Sequence, residues 1–314
     1  MADLISLNLA ASSGDPRAQF QLARLLLVGR EARYNPEQAM RWVNAACAQK
    51  YPQALLFHAT LAALGFGRPQ SFSDAIGLVA EAAATGDARA QGQLAALGGV
   101  EGYDPKAWFA PVEMIQRQTA PRAYTVPNFL SKPACAWLAS EASKNLQAAR
   151  VKDPDRGGSA VDKIRTNTGT GFSIIESDLV LQMTRMKIAN TIQLPLAQLE
   201  PTNILHYEKG QEYKAHFDFI TEQEAHGFQS ELARIGQRIC TFLIYLNDDY
   251  EGGETDFLRL DWRFKGKTGD ALIFWNMSAD GVLERDSLHA GTPVTRGEKW
   301  LFSQWVREKP FPVV

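Results

Sequence analysis

This chain of 314 residues has few cysteines, a small net charge and few long apolar runs. The three cysteines, Cys47, Cys135 and Cys240, are widely separated and match no metal-binding spacing, which predicts reduced thiols and a cytoplasmic location. Lys and Arg number 33 against 35 Asp and Glu, a formal net charge of −2. We therefore expect neither nucleic acid nor an anionic membrane surface as a partner.

The sequence also shows no pattern typical of a targeting signal or a membrane-spanning segment. The N-terminus, MADLISLNLA, has no basic segment followed by an apolar core, so a secretory signal is not expected. The most apolar stretch, ALLFHATLAALGFG, is short and contains a histidine, which favours a buried helix over a membrane span. With 45% hydrophobic and 22% charged residues the composition is typical of globular proteins, and the length favours two domains.

The first hundred residues repeat with a step of 36. The repeated positions are Ala10, Ala46 and Ala82; Ala18, Ala54 and Ala90; and Leu25, Leu61 and Leu97. Small residues at a fixed phase let helices approach closely, and this period predicts two short antiparallel helices per unit. Such a short array either binds a partner or braces the next domain or a dimer, and the pattern leaves these alternatives open.

The pattern changes after Gly98-Gly99. Residues 99–120 are typical of a connector with some helix, and beyond them short β-rich runs alternate with glycine and aspartate turns. Many short strands at this spacing predict a sandwich or barrel. We expect an α+β chain with a helical repeat domain over 1–98, a connector over 99–120 and a β domain over 121–314.

One strand-like run, EYKAHFDFI at residues 212–220, contains His216 and Asp218. Alternation along a strand places these two side chains on one face, with Phe217 and Phe219 on the other. Such a pair also arises by chance in a chain of this composition, so it indicates a metal site only where further ligands accompany it.

The segment HAGTPVTRGEKW supplies His289 and Lys299. If residues 295–297 form a three-residue hairpin loop, Lys299 lies opposite Pro293, on the same face as His289 and roughly 13 Å from it. Two histidines and a carboxylate form the facial triad of non-haem Fe(II) oxygenases, although a zinc site can use similar ligands. A lysine at this reach can hold the far carboxylate of a five-carbon diacid that chelates the metal, which favours 2-oxoglutarate.

Two known families resemble the two halves. Residues 5–98 resemble the Sel-one-like branch of tetratricopeptide-type repeats, through pieces such as NPEQAMRWVNAACAQKYPQALLFHATLAALG. About residues 122–308 resemble the prolyl 4-hydroxylase branch of 2-oxoglutarate/Fe(II) dioxygenases, through LHYEKGQEYKAHFDF, GQRICTFLIYLNDDYEGGETDF, GDALIFW and LHAGTPVTRGEKWLFSQWVRE in this order. The second resemblance implies a double-stranded β-helix, which is a jelly-roll barrel, with supporting helices.

The resemblance also implies roles for particular residues. The iron ligands, which are also the catalytic residues, would be His216, Asp218 and His289. The residues that bind 2-oxoglutarate would be Lys299, Tyr207 and Thr241, with Lys299 on its distal carboxylate. The residues that contact the substrate would be Arg165, Tyr213, Arg238 and Trp305.

The implied reaction is hydroxylation of a C–H bond with Fe(II), 2-oxoglutarate and dioxygen, with ascorbate as reductant and succinate as coproduct. The resemblance favours a prolyl residue in a peptide or protein, with a possible protein partner on the repeats. Segments 151–169 and 221–237 are candidates to close over a substrate, and the second departs from the family pattern. Two alternatives stay open: a hydroxylase of a free or carrier-bound amino acid in a biosynthetic pathway, and a non-catalytic repeat adaptor.

Overall fold

The structure, a computed structural model, describes residues 4–29, 31–148, 150–152, 159–161, 165–173 and 176–311. The chain divides into two compact units, one from residues 1–109 with 174–184 and the other from residues 110–173 with 185–313. Within the described ranges, no helix has the length and apolar character needed to cross a membrane. Much of the 151–169 segment lies outside the described residues.

Short helices build the first unit. They are α1 (Leu4–Ser12), α2 (Pro16–Val28), α3 (Pro36–Ala48), α4 (Pro52–Leu64), α5 (Phe72–Ala84), α6 (Ala88–Ala96), α7 (Gly99–Gly102) and α8 (Pro105–Trp108). The repeated alanines Ala18, Ala54 and Ala90 lie near the starts of α2, α4 and α6 and are fully or almost fully buried. The step of 36 therefore equals one helix pair, which confirms the predicted helical repeat.

Capping side chains mark where these helices begin. Asp15, Asn35, Ser71 and Asp87 each accept a hydrogen bond from a backbone N–H in the first turn that follows. Such caps satisfy donors that have no partner within the helix, and they set the register of each helix on its neighbours.

Strands dominate the second unit. They are β1 (Ile115–Thr119), β2 (Arg122–Val126), β3 (Gln147–Ala148), β4 (Arg150–Lys152), β5 (Ser159–Val161), β6 (Thr168–Phe172), β7 (Thr202–Tyr207), β8 (Tyr213–His216), β9 (Arg238–Tyr245), β10 (Glu251–Gly252), β11 (Thr255–Phe257), β12 (Trp262–Phe264), β13 (Ala271–Trp275), β14 (His289–Gly291), β15 (Val294–Arg296) and β16 (Lys299–Arg307). The remaining helices are α9 (Lys132–Ser143), α10 (Leu179–Ile192), whose first residues belong to the first unit, and α11 (Gln229–Ile235).

Two sheets carry the site. The large sheet has the order β1-β2-β13-β9-β16-β7-β6-β3, and the small sheet has the order β12-β11-β14-β8. From β7 onwards the chain passes repeatedly between these sheets, which is the winding of a double-stranded β-helix. The predicted jelly-roll barrel with supporting helices is therefore confirmed. Its apolar core includes Tyr245, Phe257 and Phe274, which come from both sheets.

The predicted hairpin at residues 295–297 is wrong in its pairing. β15 pairs with β10, whereas β16 pairs with β7 and β9, so Lys299 lies opposite Tyr207 and not opposite Pro293. Gly297 has the expected left-handed backbone, with φ 73°. A Cβ there would lie 2.7 Å from the carbonyl oxygen of Asp249, so the close approach also requires glycine. The turn pattern identified the bend but not the strand that receives the chain.

Candidate active site

Three side chains converge where the small sheet meets the barrel interior. His216 ends β8, Asp218 follows two residues later, and His289 begins β14 directly opposite His216 in the strand ladder. The His216 Nε2–Asp218 Oδ1 distance is 3.6 Å and the His289 Nε2–Asp218 Oδ2 distance is 3.7 Å. Among the described residues, this is the one group of three or more His, Cys, Asp or Glu whose ligand atoms lie within 4.8 Å of one another.

Backbone carbonyls fix which nitrogen each histidine presents. Nδ1 of His216 lies 2.8 Å from the carbonyl oxygen of Lys214, and Nδ1 of His289 lies 2.9 Å from that of Ser287. A carbonyl oxygen only accepts, so each Nδ1 carries the proton and each Nε2 keeps a lone pair directed at the cluster. Burial, together with the neighbouring His216 ring, lowers the pKa of His289 to about 4, so this imidazole is neutral near pH 7.

Asp218 is ionised in this setting. Burial alone would raise its pKa, but His289, His216 and a hydrogen bond from Thr241 together lower the pKa well below its ordinary value. The Thr241 hydroxyl donates to Asp218 Oδ2 over 2.7 Å. One anionic oxygen ligand and two neutral nitrogen ligands are the donor set of the facial triad.

The spacing of the cluster fits a metal ion. Metal–ligand bonds of about 2.1 Å at right angles place neighbouring ligand atoms about 3 Å apart. With one ligand atom from each residue, the three atoms lie within 4.8 Å of one another, so a contraction of at most about 2 Å brings them to that spacing. The residues present therefore fit Fe(II), and three protein ligands of this kind would leave further coordination positions for other ligands.

Lys299 is a buried amine with no carboxylate in an ion pair with it among the described residues. Its side chain is 2% exposed, and Nζ donates to the carbonyl oxygen of Gly253 over 2.6 Å. Within the described ranges no carboxylate lies at ion-pair distance from it, and the rings of Tyr207 and Tyr245 flank it at 5.3 and 5.4 Å. Burial lowers the pKa of Lys299 to about 7. An ammonium group has three donors, so an anion entering the cavity would find donors available.

The cluster and the lysine share one cavity. The residues that line it are Arg165, Leu205, Tyr207, Tyr213, His216, Asp218, Leu243, Thr255, His289, Gly291, Lys299, Leu301, Ser303 and Trp305. The candidate metal ligands lie in the same cavity as Lys299, and leucine side chains line the cavity as well. Such a cavity suits a ligand that chelates a metal at one terminus and carries a carboxylate at the other. The cavity thus brings together eight of the ten residues that the sequence singled out, all except Thr241 and Arg238.

Thr241 and Arg238 lie behind the cavity wall. Thr241 contacts Asp218, and Arg238 stacks on Trp305, with its guanidinium 3.6 Å from the ring centroid. Arg238 also binds Glu200 through Nε, over 2.8 Å, and through Nη2, over 3.3 Å. Direct contacts of these two side chains with cosubstrate or substrate stay predictions, since in this structure they support residues that face the cavity.

Arg165, Tyr213 and His216 form a stack. The Tyr213 and His216 rings are parallel within 14°, with centroids 3.5 Å apart, and the Arg165 guanidinium lies 4.8 Å from the centre of the Tyr213 ring. Burial raises the pKa of Tyr213 above its ordinary value and that of Tyr207 to about 12, so both phenols stay neutral. The stack restrains the first histidine and presents a cation beside it.

Sequence reasoning did not single out Glu200, Arg307 or Asn276. Glu200 lies between Arg238 and the buried Arg307, which also pairs with Glu231 of α11. Asn276 is fully buried beside Thr241. The available signal was weak. It was a charged or amide residue beside a strand with many apolar residues, as in EPTNILHY, ALIFWNM and WLFSQWVRE.

Comparison with known proteins agrees with this geometry. A family model described as the 2OG-Fe(II) oxygenase superfamily matches residues 202–307. The chain is 35% identical over 205 residues to "Probable prolyl 4-hydroxylase 3" of Arabidopsis thaliana, covering 59% of this chain and 69% of that protein. "Prolyl 4-hydroxylase 2" of the same organism is 33% identical over 228 residues, covering 66% of this chain and 74% of that protein.

Among solved structures, the viral collagen prolyl hydroxylase of Paramecium Bursaria Chlorella virus-1 is 28% identical to this chain. It covers 59% of this chain and 95% of its own, with a TM-score of 0.47. The present chain belongs to the 2OG-Fe(II) oxygenase superfamily and, within it, to the prolyl 4-hydroxylase family. It is a 2-oxoglutarate-dependent dioxygenase that uses Fe(II), 2-oxoglutarate and dioxygen.

Proposed function

We propose that this dioxygenase hydroxylates a prolyl residue in a peptide or protein, with His216, Asp218 and His289 as iron ligands. The observation that carries the proposal is that this three-ligand cluster shares one cavity with buried Lys299, which has no carboxylate at ion-pair distance among the described residues. The relatives named as prolyl 4-hydroxylases support the choice of a prolyl substrate. When bound, Fe(II) with 2-oxoglutarate and dioxygen supplies the oxidising power, and 2-oxoglutarate is decarboxylated to succinate.

The chain's own groups bind, orient and shield. Neutral His289 offers Nε2 without losing a proton near pH 7, and ionised Asp218 supplies the anionic ligand. Lys299 becomes protonated when the distal carboxylate of 2-oxoglutarate approaches, because the ion pair offsets the cost of burying the ammonium group. Tyr207, opposite Lys299 in the ladder, presents its neutral phenol to the same carboxylate.

The substrate lies against the remaining wall of the cavity. Tyr213 and Trp305 offer flat aromatic faces that suit a pyrrolidine ring, and Arg165 offers donors to a peptide carbonyl. Arg238 and Glu200 hold Trp305 in place from behind.

The test is formation of succinate from 2-oxoglutarate by the purified protein with Fe(II) and ascorbate. A panel of proline-containing peptides and free proline-like amino acids is compared, with wild type and His216→Ala side by side. We expect proline-containing peptides to stimulate turnover, and His216→Ala to abolish it while leaving the folded structure intact by circular dichroism. Stimulation only by free amino acids would replace the peptide proposal with the small-molecule alternative. Failure of the wild type to bind Fe(II) and 2-oxoglutarate would favour the adaptor alternative.

We also propose that the helical repeats bind a protein partner that carries the substrate. A groove lined by Leu22, Leu26, Tyr34, Asn35 and Gln38, among others, supports this role, and Tyr34 is 47% exposed there. Tyr34→Glu should raise KM for the intact protein substrate and leave kcat/KM for a short peptide unchanged. An equal effect on both substrates would contradict the proposal.

A cytoplasmic location is likewise proposed. Its support is that Cys47, Cys135 and Cys240 are all free, and that burial raises the pKa of Cys47 and of Cys135 to about 12, which keeps both as protonated thiols. Cell fractionation tests it, and recovery of the protein in an oxidising compartment would refute it.

A further inference from the structure

A chain of hydrogen bonds runs behind the metal cluster, from Asn276 through Thr241 to Asp218. Asn276 Nδ2 donates to Thr241 Oγ1 over 3.0 Å, and Thr241 Oγ1 donates to Asp218 Oδ2 over 2.7 Å. All three side chains are buried, with Asn276 at 0% exposure and Thr241 at 1%. We call these three residues the relay.

The chemistry of the three side chains determines which group donates each hydrogen bond of the relay. Thr241 has a single hydroxyl proton, and it donates that proton to Oδ2 of Asp218. The Thr241 oxygen is then free to accept, and only the NH₂ end of Asn276 can supply that proton. Asn276 therefore supplies the donor that the Thr241 oxygen accepts while its proton is directed at Asp218.

The fold anchors Asn276 where it can do this. It follows β13 directly, its backbone N–H donates to the carbonyl of Ile239 over 2.9 Å, and its carbonyl accepts from the N–H of Glu284 over 2.9 Å. Its side-chain Oδ1 is buried and has no hydrogen-bond partner among the described residues. An unsatisfied buried oxygen is destabilising, so the position is poorly suited to stability alone.

We propose that Asn276 and Thr241 are positioning residues that hold Asp218 Oδ2 in a hydrogen bond, so that Asp218 offers a metal ion a single oxygen, Oδ1. This inference rests on the metal site proposed above. A carboxylate that chelated the ion with both oxygens would occupy a position that a chelating keto acid needs. The relay thus keeps that position available to 2-oxoglutarate.

Four variants of the intact chain test the relay. Thr241→Val removes the hydroxyl with little change of volume, and Thr241→Ser keeps it. Asn276→Asp has the same shape but cannot donate, so its carboxylate takes the Thr241 proton away from Asp218. Thr202→Val is the matched control, because Thr202 is a fully buried strand threonine whose hydroxyl donates to Gln304 over 2.7 Å.

The readouts are the dissociation constant of Co(II), titrated alone, and the visible absorption of the Co(II) form. Neither depends on turnover. We expect Thr241→Val and Asn276→Asp to weaken Co(II) binding by about 10- to 100-fold, the usual effect of losing an outer-shell partner. Their absorption bands should also lose intensity, because Asp218 then chelates and the coordination number rises. Thr241→Ser and Thr202→Val should keep the wild-type affinity and spectrum.

Wild-type affinity and spectrum in a folded Thr241→Val protein would overturn the inference while leaving the metal site standing. If Thr241→Val does not fold, Asn276→Asp decides by the same two readouts. If Thr202→Val weakens Co(II) binding as much as Thr241→Val, the effect is general destabilisation and the relay is refuted. If the wild type itself binds no Co(II), the proposed metal site fails, and the relay fails with it.

Discussion

Lys299 offers a test in which stability and ligand binding should move in opposite directions. The side chain is 2% exposed, and burial lowers its pKa from 10.5 to about 7. At 1.36 kcal/mol per pKa unit, this difference corresponds to about 5 kcal/mol of folding free energy. Burial of this amine therefore lowers the free energy of unfolding of the ligand-free protein, and Lys299→Met should remove this destabilisation.

The sign of the pH dependence follows from linkage. The pKa of Lys299 is lower in the folded than in the unfolded chain, so the unfolded chain binds more protons between pH 7 and 10.5. The stability of the wild type should thus rise with pH in this window, relative to the variant. Against the gain at pH 7, Lys299→Met loses the hydrogen bond to the Gly253 carbonyl, which costs about 1–3 kcal/mol. We expect a net stabilisation of about 3 kcal/mol at pH 7.

Urea denaturation of wild type and Lys299→Met at pH 7, 8, 9 and 10 measures this effect. The advantage of the variant should shrink by about 1.4 kcal/mol for each pH unit. Lys214, which is exposed, is changed to Met in the same way as a control for loss of a lysine. An advantage that is absent at pH 7, or that does not vary with pH, would refute the reasoning about Lys299.

The same variant should lose 2-oxoglutarate. Isothermal titration with Mn(II) in place of Fe(II) should show binding in the wild type that weakens as the pH rises above 7, because the ligand requires the protonated amine. Lys299→Met should show little binding at any of these pH values. Retained affinity would mean that the dicarboxylate lies elsewhere.

Three further variants test other parts of the structure. His289→Ala should abolish Co(II) binding and leave the circular dichroism spectrum unchanged; an unchanged Co(II) affinity would exclude His289 as a ligand. Glu200→Gln leaves Arg238 and Arg307 without a full counter-charge, so the free energy of unfolding in urea should fall by about 3 kcal/mol. The control Glu251→Gln removes an exposed ion pair and should lower it by less than about 1 kcal/mol. Gly269→Ala places a Cβ 2.1 Å from a carbonyl oxygen at φ +89°, so the melting temperature should fall; a wild-type value would mean that the backbone relaxes freely there.

Local patterns were good predictors wherever the physical cause is local. The step of 36 identified the helix pairs, because buried small residues must recur once per pair. The alternation in AHFDF correctly separated the two side chains of the cluster from the phenylalanines, whose rings stack with centroids 4.5 Å apart, even though β8 ends at His216. The hairpin at residues 295–297 failed because a turn specifies a bend and not the strand that will accept the next hydrogen bonds.

The repeat, the β-rich second half, and the residue types and chain order of the site could all be predicted from the amino-acid sequence. His216, Asp218, His289 and Lys299 stand out as a set, through their spacing and through the family resemblance of the segments that contain them. The pairing of strands that are distant in the chain depends on the folded barrel, and so does the position of Lys299 opposite Tyr207. Burial is likewise a property of the assembled barrel. Burial lowers the pKa of Lys299 to about 7. The assembled barrel also places Asn276, which is distant in the chain, in contact with Thr241 behind Asp218.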